Sequence, residues 1–445
     1  MFKFKFLGNT HVPHRKNTAE MPAVRVATPK EVLLPLEQHI GAPATAIVAV
    51  GDEVKVGQLI AEASGFVSSP VYSSVSGKVT KLDSYLRSNG KTVSAIRIES
   101  DGLMTPYEGL SAPEINDLDS FISAMRNSGL VGLGGAGFPT AVKFEALKKG
   151  GIDTLILNGA ECEPYITIDA RTMIDDADLI AEGIALIKKV APEIKSYIIG
   201  IEANKPSCIK KMKETFKDDA SVCVKTLPSL YPQGAEKVLI RNTTGRTVLE
   251  GKLPADVGVI VINVTSLSTF AKYVKTGMPL VEKTLTLDGS AMKEPKNVIL
   301  PIGTSIREAV ELSGGFSEDP SKVILGGPMT GPAVCSLDEP ILKSSGAIIA
   351  LSKRDAQRGK ETACIHCGRC TEACPHLLNT CMFEKAMHAE SADEKAAMLE
   401  ASRVNLCVEC GCCTFVCPAN RPLMENIRIA KGFLREHNAH KATLK

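Results

Sequence analysis

Two copies of one cysteine pattern constrain this chain of 445 residues more than any other feature. The first copy is Cys364-x2-Cys367-x2-Cys370-x3-Cys374-Pro375. The second copy is Cys407-x2-Cys410-x2-Cys413-x3-Cys417-Pro418. This spacing is typical of proteins that bind two [4Fe–4S] clusters, in which the fourth cysteine of each run ligates the cluster of the other run. The sequence therefore predicts two iron–sulfur clusters near the carboxyl end of the chain.

The crossed ligation assigns four cysteines to each cluster. The first cluster takes Cys364, Cys367, Cys370 and Cys417, and the second takes Cys407, Cys410, Cys413 and Cys374. A pair of zinc sites is the alternative, but CxxC pairs alone would explain neither the third and fourth cysteines nor the two prolines. Six further cysteines are expected to be small buried side chains: Cys162, Cys208, Cys223, Cys335, Cys381 and Cys412.

Helix-forming residues surround the cysteine runs. The 32 residues between them, 375–406, contain two segments rich in Glu, Lys, Ala and Met, and a further helix is expected near Met424–Leu434. We therefore predict a helical double-cluster domain over residues 360–445. Two clusters this close together would conduct electrons, so their source must lie upstream.

Composition excludes several classes of function. The 52 Lys and Arg nearly balance the 50 Asp and Glu, and the aromatic residues amount to only 4% of the chain. Neither a basic surface for nucleic acid nor a base-stacking platform is expected. We find no apolar run long enough for a membrane helix, and Met1–Leu7 alternates like a strand rather than a signal peptide. A cytosolic setting is expected, in which cysteines are thiols or metal ligands.

A glycine-rich loop, Gly132-Leu-Gly-Gly-Ala-Gly-Phe-Pro139, contains the letters GxGxxG. That motif indicates a Rossmann dinucleotide site only when it follows a strand and begins a helix. Here a helix is expected before the loop, over residues 117–127, and the strand Thr154–Asn158 follows it. An ordinary Rossmann site is therefore not indicated. A phosphate cradle and a packing turn both remain possible.

Two carboxylates follow that strand directly, in the phrase Asn158-Gly-Ala-Glu161-Cys-Glu163-Pro164. In α/β folds, ligands bind beyond the carboxyl ends of the strands. Glu161 and Glu163 are therefore candidate ligand-binding residues. A solvated turn is the alternative.

These phrases, together with Gly234-Ala-Glu236, resemble the flavin- and NADH-binding subunit of respiratory complex I. The phrases 157–165, 231–236 and 251–257 are more similar still to the RnfC family, the peripheral NADH-facing subunits of Rnf-complex ferredoxin:NAD oxidoreductases. The resemblance covers about residues 5–435. One departure is Ala160, where the complex I pattern has Asp.

The resemblance implies bound FMN and NADH and a set of contact residues. Gly134, Gly135 and Gly137 would cradle the phosphate, Lys143 would neutralise it, and Asn158 would bind the flavin edge. Glu161, Glu163 and Glu236 would order the nucleotide, and Phe138 or Phe144 would stack on its rings. The full predicted cofactor-binding set is Gly132, Gly134, Gly135, Gly137, Phe138, Lys143, Phe144, Asn158, Glu161, Glu163, Gly234 and Glu236.

The resemblance also implies a function. NADH and FMN would exchange a hydride, and the clusters would carry single electrons to or from partner subunits, with ferredoxin reached indirectly. No side chain is required as a catalytic acid or base. The protein would be an oxidoreductase component on the cytoplasmic side of the cell membrane, with Na or H transport left to membrane subunits.

The remaining segments complete a multidomain α/β and α+β architecture. Short strands broken by glycine over residues 32–82 resemble lipoyl-carrier domains, but no lysine occurs between Val56 and Gly77 to carry the group. Residues 281–315, with a helix expected to begin at Thr304, are similar to a soluble-ligand-binding β-grasp module. We predict a barrel-sandwich hybrid in 1–112, an FMN/NADH-binding α/β domain in 113–255, a β-grasp domain in 256–335, a connector in 336–359 and the helical ferredoxin domain in 360–445.

Two alternative functions remain. A cobalamin-reducing flavoprotein of bacterial microcompartments is built from similar modules. A nucleotide-free electron relay would use the clusters alone, and the glycine loop with its carboxylates argues against it.

Overall fold

The amino-terminal unit consists of two small antiparallel sheets that share one apolar core. The computed structural model describes residues 8–443, so the predicted strand at Met1–Leu7 lies outside the described residues. The sheets have the orders β2-β8-β7-β4 and β3-β5-β6. Their strands are β2 (Glu31–Pro35), β3 (Thr45–Ala46), β4 (Glu53–Val54), β5 (Leu59–Glu62), β6 (Val71–Tyr72), β7 (Gly77–Leu86) and β8 (Thr92–Ser100). This is the predicted barrel-sandwich arrangement.

A parallel sheet with the order β11-β10-β9-β12 forms the centre of the second unit. Its strands are β9 (Thr154–Gly159), β10 (Ser196–Glu202), β11 (Val222–Leu227) and β12 (Val259–Asn263). The near-continuous apolar sequence of β9 and β12 suits strands that are covered on both faces. Seven helices accompany this sheet: α1 (Leu118–Asn127), α2 (Thr140–Phe144), α3 (Ile168–Asp175), α4 (Ala177–Val190), α5 (Pro206–Thr215), α6 (Glu236–Thr244) and α7 (Val264–Thr276).

The strand order creates a switch point between β9 and β12. From β9 the chain adds β10 and β11 on one side and then returns to place β12 on the other side. Such a reversal leaves a crevice beyond the carboxyl ends of the two central strands, where α/β proteins bind ligands. The element before the glycine loop is the helix α1, as the sequence predicts. Asp117 caps this helix by accepting the Ser120 N–H at 2.8 Å.

The third unit is a mixed sheet with the order β1-β14-β13-β16-β15. Its strands are β1 (Val24–Arg25), β13 (Glu282–Asp288), β14 (Lys296–Pro301), β15 (Lys322–Leu325) and β16 (Ala347–Leu351). Helix α8 (Ile306–Glu311) packs on it. The predicted start at Thr304 is displaced, because the Ser305 side chain caps the helix and the Thr304 hydroxyl bonds to the Pro301 carbonyl.

The sheets cross the predicted domain boundaries in three places. Strand β12 pairs with β9 in the parallel sheet, and helix α7 packs against the same sheet. Both follow the predicted boundary at residue 255. Strand β16 lies in the predicted connector 336–359 but pairs with β13 and β15. Strand β1 comes from the amino-terminal region and pairs with β14. The local sequence of such short strands does not specify which sheet they join, so sequence alone does not separate the units there.

The carboxyl-terminal unit is helical, as predicted. After the short helix α9 (Lys353–Ala356) come α10 (Arg369–Glu372), α11 (Thr380–Met387), α12 (Ala392–Ala401), α13 (Cys412–Phe415) and α14 (Leu423–Thr443). The two cysteine loops repeat one backbone geometry: Gly368 and Gly411 have φ of 77° and 79°, and His366 and Glu409 both have φ of 54°. Within residues 8–443, no helix combines the length and apolar character that a membrane span requires.

Candidate functional site

A cleft of about 480 Å³ opens at the switch point of the parallel sheet. The ends of β9 and β12 contribute Asn158 and Asn263, and the glycine loop contributes Gly134 and Gly135. The carboxylate loop and two β-grasp segments, 325–332 and 342–346, supply other walls. Cys410, from the second cysteine run, closes one side. The cleft therefore joins three of the four units.

The glycine loop has the shape of a cradle. Gly135 has φ of 106°, which favours glycine, and a Cβ atom built on it would meet no atom within 4 Å. A Cβ on Gly134 would lie 3.3 Å from Asn263 Nδ2. Gly132 donates its N–H to the Phe138 carbonyl at 2.8 Å, and Gly137 donates to Gly132 at 3.2 Å, so the loop is closed by its own backbone. An anionic group can thus approach the backbone at Gly135.

The buried Lys205 and the partly buried Lys16 hold the carboxylate loop. Lys16 Nζ donates to the carbonyl oxygens of Glu161, Glu163 and Ile166 at 2.8, 2.8 and 2.6 Å. Lys205 Nζ donates to the Ala160 carbonyl at 2.6 Å. Glu161 is fixed with φ of 47°, in the left-handed region that non-glycine residues seldom adopt. The lysines therefore stabilise an uncommon backbone at the cleft.

One carboxylate oxygen of Glu161 makes no hydrogen bond to the described residues, although Lys16 Nζ lies 3.9 Å from it. Glu161 Oε1 accepts the Asp169 N–H at 2.6 Å, whereas the buried Glu161 Oε2 has no hydrogen-bond partner among the described residues. Burial raises the pKa of Glu161 to about 7, and the nearby Lys16 opposes that shift. A buried polar atom without a partner normally marks a missing ligand or water. Together with the open space at Gly135, this oxygen fits a cleft that binds a nucleotide with hydrogen-bonding groups.

Glu163 also lines the cleft, but its carboxylate is occupied by protein groups. Its Oε2 accepts the Met329 N–H at 3.0 Å, and its Oε1 accepts the Thr330 hydroxyl at 2.5 Å. The Tyr231 hydroxyl lies 3.4 Å from the same Oε1. Glu163 thus ties the parallel-sheet unit to the β-grasp unit.

The structure brings six predicted cofactor-binding residues together on the cleft wall: Gly134, Gly135, Asn158, Glu161, Glu163 and Gly234. The Asn158 side chain donates to the Gly234 carbonyl at 2.9 Å and accepts the Ala160 N–H at 3.2 Å, so it holds two wall segments in place.

The other predicted residues lie behind or beside the wall. The stacking role of Phe144 is wrong, because its ring is fully buried and packs edge-to-face on Phe121 at 5.2 Å. Lys143 Nζ donates to Glu236 Oε1 at 2.8 Å and to the Val261 carbonyl at 3.0 Å. Gly132, Gly137 and Phe138 shape the loop without lining the cleft.

Sequence reasoning missed several polar groups of the cleft. Asn263 caps α7 by accepting the Ser266 N–H at 3.0 Å and donates to Asp169 Oδ2 at 2.8 Å. Its signal was available, because it is the last residue of the buried strand β12. Lys16 and Lys205 carried no such signal, since each reaches the loop from a distant part of the chain.

Each set of four cysteines that the spacing groups together lines one small cavity. One cavity contains Cys364, Cys367, Cys370 and Cys417, and the other contains Cys374, Cys407, Cys410 and Cys413. Two additional cysteines also reach these walls, Cys381 in the first cavity and Cys412 in the second. Since Cys410 lines both the second cavity and the cleft, the two sites share a wall.

Four family models match along the chain. They are the RnfC barrel sandwich hybrid domain over 4–103, the Nuo51 FMN-binding domain over 125–272, the SLBB domain over 284–333 and the 4Fe-4S dicluster domain over 361–421. The RnfC-type relative from the proton-translocating ferredoxin:NAD(+) oxidoreductase complex of Clostridium ljungdahlii is 43% identical over 398 residues, which cover 87% of this chain and 86% of that protein. The chain belongs to the RnfC family.

Further members of the RnfC family agree. The relative from the Na(+)-translocating ferredoxin:NAD(+) oxidoreductase complex of Acetobacterium woodii is 41% identical, over 88% of this chain and 90% of that protein. The relative from the ion-translocating oxidoreductase complex of Rhodobacter capsulatus is 36% identical, over 98% of this chain and 85% of that protein. Membership confirms the predicted resemblance and makes the chain an electron-transfer component of an oxidoreductase.

One solved structure shares the fold of this RnfC-family chain. A chain of the NAD+-reducing [NiFe]-hydrogenase in the H2-reduced state aligns with a TM-score of 0.51 and 18% identity, covering 72% of this chain. The aligned part is 63% of the hydrogenase chain, so this protein spans under two thirds of that polypeptide. The likeness confirms the predicted fold class.

Proposed function

We propose that the chain is the NADH-linked electron-transfer subunit of a membrane-bound ferredoxin:NAD+ oxidoreductase. The observation that carries this proposal is the cleft that Gly134, Gly135 and Glu161 share with Cys410. A nucleotide in this cleft would lie directly against the second cysteine cavity. NADH and FMN supply hydride exchange when bound, and two [4Fe–4S] clusters supply single-electron steps.

In this scheme, the residues of the chain bind the cofactors and hold them in position. The loop at Gly134 and Gly135 would hold the flavin phosphate, and Asn158 and Glu161 would offer polar atoms to the nucleotide. Cys410, with Cys374, Cys407 and Cys413, would hold the second cluster at the cleft wall. The first cluster would be held by Cys364, Cys367, Cys370 and Cys417, none of which lines the cleft.

The assembly context rests on the relatives. Because their names describe subunits of ferredoxin:NAD(+) complexes that translocate protons or Na(+), we infer that this chain attaches to membrane partners of the same kind of complex. It would lie peripherally on the cytoplasmic side of the cell membrane, with ferredoxin reached through other subunits. Ion transport would belong to those partners.

Two alternatives are less well supported. The relatives named above belong to ion-translocating complexes, which favours that role over a cobalamin-reducing flavoprotein of a microcompartment. A nucleotide-free relay would need neither the open loop at Gly135 nor the buried Glu161 Oε2, which makes no hydrogen bond within residues 8–443.

The flavin site can be tested with matched glycine substitutions. Gly135→Val would place a branched side chain in the cradle at a backbone of φ 106°. Gly150→Val is the control, because Gly150 also has a positive φ, 74°, and open space around its Cβ, but lies outside the cleft lining. We expect Gly135→Val to lose FMN while keeping its iron, and Gly150→Val to keep both. Equal FMN retention in the two variants would contradict the site.

A further inference from the structure

Helix α11 begins between the two cysteine cavities, and its first two residues face different cavities. Thr380 lines the cavity of Cys374, Cys407, Cys410 and Cys413. Cys381 lines the cavity of Cys364, Cys367, Cys370 and Cys417. Adjacent residues at the start of one helix therefore contact both candidate cluster sites.

The Thr380 hydroxyl is buried without a partner. The residue is 3% exposed, and its Oγ1 has no hydrogen-bond partner among the described residues. A buried hydroxyl left unpaired is destabilising, so such groups almost always find an acceptor. Within the second cavity, the acceptor that the four cysteines would supply is sulfur.

Cys381 lies against a predicted ligand of the first cluster. Its Sγ is 3.4 Å from Cys370 Sγ, which is hydrogen-bonding distance for sulfur. A cysteine that ligates iron is a thiolate and can only accept, so Cys381 must be the donor of this bond. Four other cysteines already complete the ligand set of this cavity, which leaves Cys381 free to keep its proton.

We propose that Thr380 and Cys381 are positioning residues that each donate one hydrogen bond to the sulfur of a different cluster. The Thr380 O–H would bond to a sulfur of the second cluster, and the Cys381 S–H would bond to the Cys370 sulfur of the first. This inference rests on the two clusters of the proposed function. Hydrogen bonds to cluster sulfurs help set the reduction potential. Because they stabilise added negative charge, each bond raises the potential of its own cluster.

The test is a redox titration of the full chain, reconstituted anaerobically and followed by EPR. Thr380→Val removes the hydroxyl at nearly constant volume, and Cys381→Ala removes the thiol. We expect each variant to lower the equilibrium constant for reduction of one cluster about tenfold. For a one-electron couple this is a reduction potential lower by 59 mV. The potential of the other cluster should stay unchanged. Thr380→Ser and Cys381→Ser keep a donor and should stay close to the original potentials.

Two controls separate this inference from a general disturbance. Cys223→Ala removes a thiol on β11 that is exposed, so the expected burial of Cys223 is wrong, and the variant should change neither potential. If the Thr380→Val protein loses iron, the Thr380→Ala protein is measured in its place. If both lose iron while Thr380→Ser retains it, a hydroxyl is needed at the cluster, which supports the inference; if Thr380→Ser also loses iron, the inference is overturned.

The remaining outcomes are distinct. Two normal clusters with unchanged potentials in Thr380→Val and Cys381→Ala would overturn the inference and leave the proposed function intact. An unsubstituted chain that never assembles two clusters would instead contradict the proposed function itself.

Discussion

The carboxylate of Glu163 accepts the backbone N–H of Met329 at a distance of 3.0 Å, and this bond links the parallel-sheet unit to the β-grasp unit beside the cleft. Burial raises the pKa of Glu163, whereas the hydrogen bonds from Thr330 and Met329 oppose that shift. Gly327 allows the close approach, because a Cβ there would meet Glu163 Oε2 at 2.3 Å. The geometry of the cleft therefore depends on the Glu163 carboxylate, which joins the parallel-sheet unit to the β-grasp unit.

Glu163→Ala should destabilise the protein. Removing the carboxylate leaves the buried Met329 N–H without an acceptor, which costs about 1–3 kcal/mol in the free energy of unfolding. Glu163→Gln keeps one carbonyl oxygen and should lose less. Chemical unfolding of both variants measures the difference. Equal stabilities of Glu163→Ala and the unsubstituted chain would show that the link is not needed.

The pair of Lys143 and Glu236 should affect flavin affinity in opposite directions. The two side chains are 2.8 Å apart and partly exposed, so each charge is worth little, up to about 1 kcal/mol or roughly fivefold in affinity. Lys143→Met leaves the Glu236 charge unbalanced and should weaken FMN binding. Glu236→Gln leaves the Lys143 charge unbalanced and should strengthen it. Fluorescence titration with FMN measures the affinity of each variant. A change of affinity in the same direction in both variants would contradict this electrostatic account.

Flavin affinity should fall as the pH rises through neutrality. With its pKa raised to about 7 by burial, Glu161 is neutral below that pH and negative above it. A negative charge on the cleft wall opposes an anionic ligand, although Lys16 and Lys205 reduce the effect and Asp169 adds to it.

The control for this pH dependence is Glu161→Gln. It cannot ionise, so its FMN affinity between pH 6 and pH 8 should show only the titration of the FMN phosphate, whose second pKa is about 6. The unsubstituted chain should show an additional loss over the same range. Parallel curves for the two proteins would exclude Glu161 as the source.

The crossed ligation predicts which cysteine variants resemble each other. Cys417→Ser should perturb the same cluster as Cys367→Ser, and Cys374→Ser should perturb the same cluster as Cys413→Ser. EPR spectra of the reduced proteins identify the affected cluster. If Cys417→Ser instead matches Cys413→Ser, each run binds its own cluster and the assignment fails.

Local patterns predicted the parts of this protein that depend on short segments. The cysteine spacing groups the residues that line each cavity, and the helix before the glycine loop identifies a site that is not an ordinary Rossmann site. Carboxylates after a buried strand likewise pointed to the cleft. The glycine loop and the carboxylate loop are each short in sequence, so their geometry follows from the local backbone. The cysteine cavities also bring in one cysteine from the other run, which the known spacing pattern and not the local backbone predicts.

Long-range contacts were not predictable in this way. Phe144 lies next to the glycine loop, but helix α2 turns its ring towards Phe121 and the core. Glu163 has the pattern of a ligand-binding residue, yet Met329 and Thr330 reach it from more than 160 residues away. The sequence therefore predicts which side chains lie near a motif more readily than it predicts the direction in which each of them points.

An anaerobic titration with NADH tests most directly whether electrons pass from the nucleotide in the cleft to the clusters beyond the shared wall. The reconstituted full chain should contain FMN and about eight irons, as two cubane clusters require. We expect NADH to bleach the flavin bands and to reduce the iron–sulfur absorbance in the same sample. Full iron with no retained flavin and no response to NADH would contradict the account and leave an electron relay without a nucleotide site.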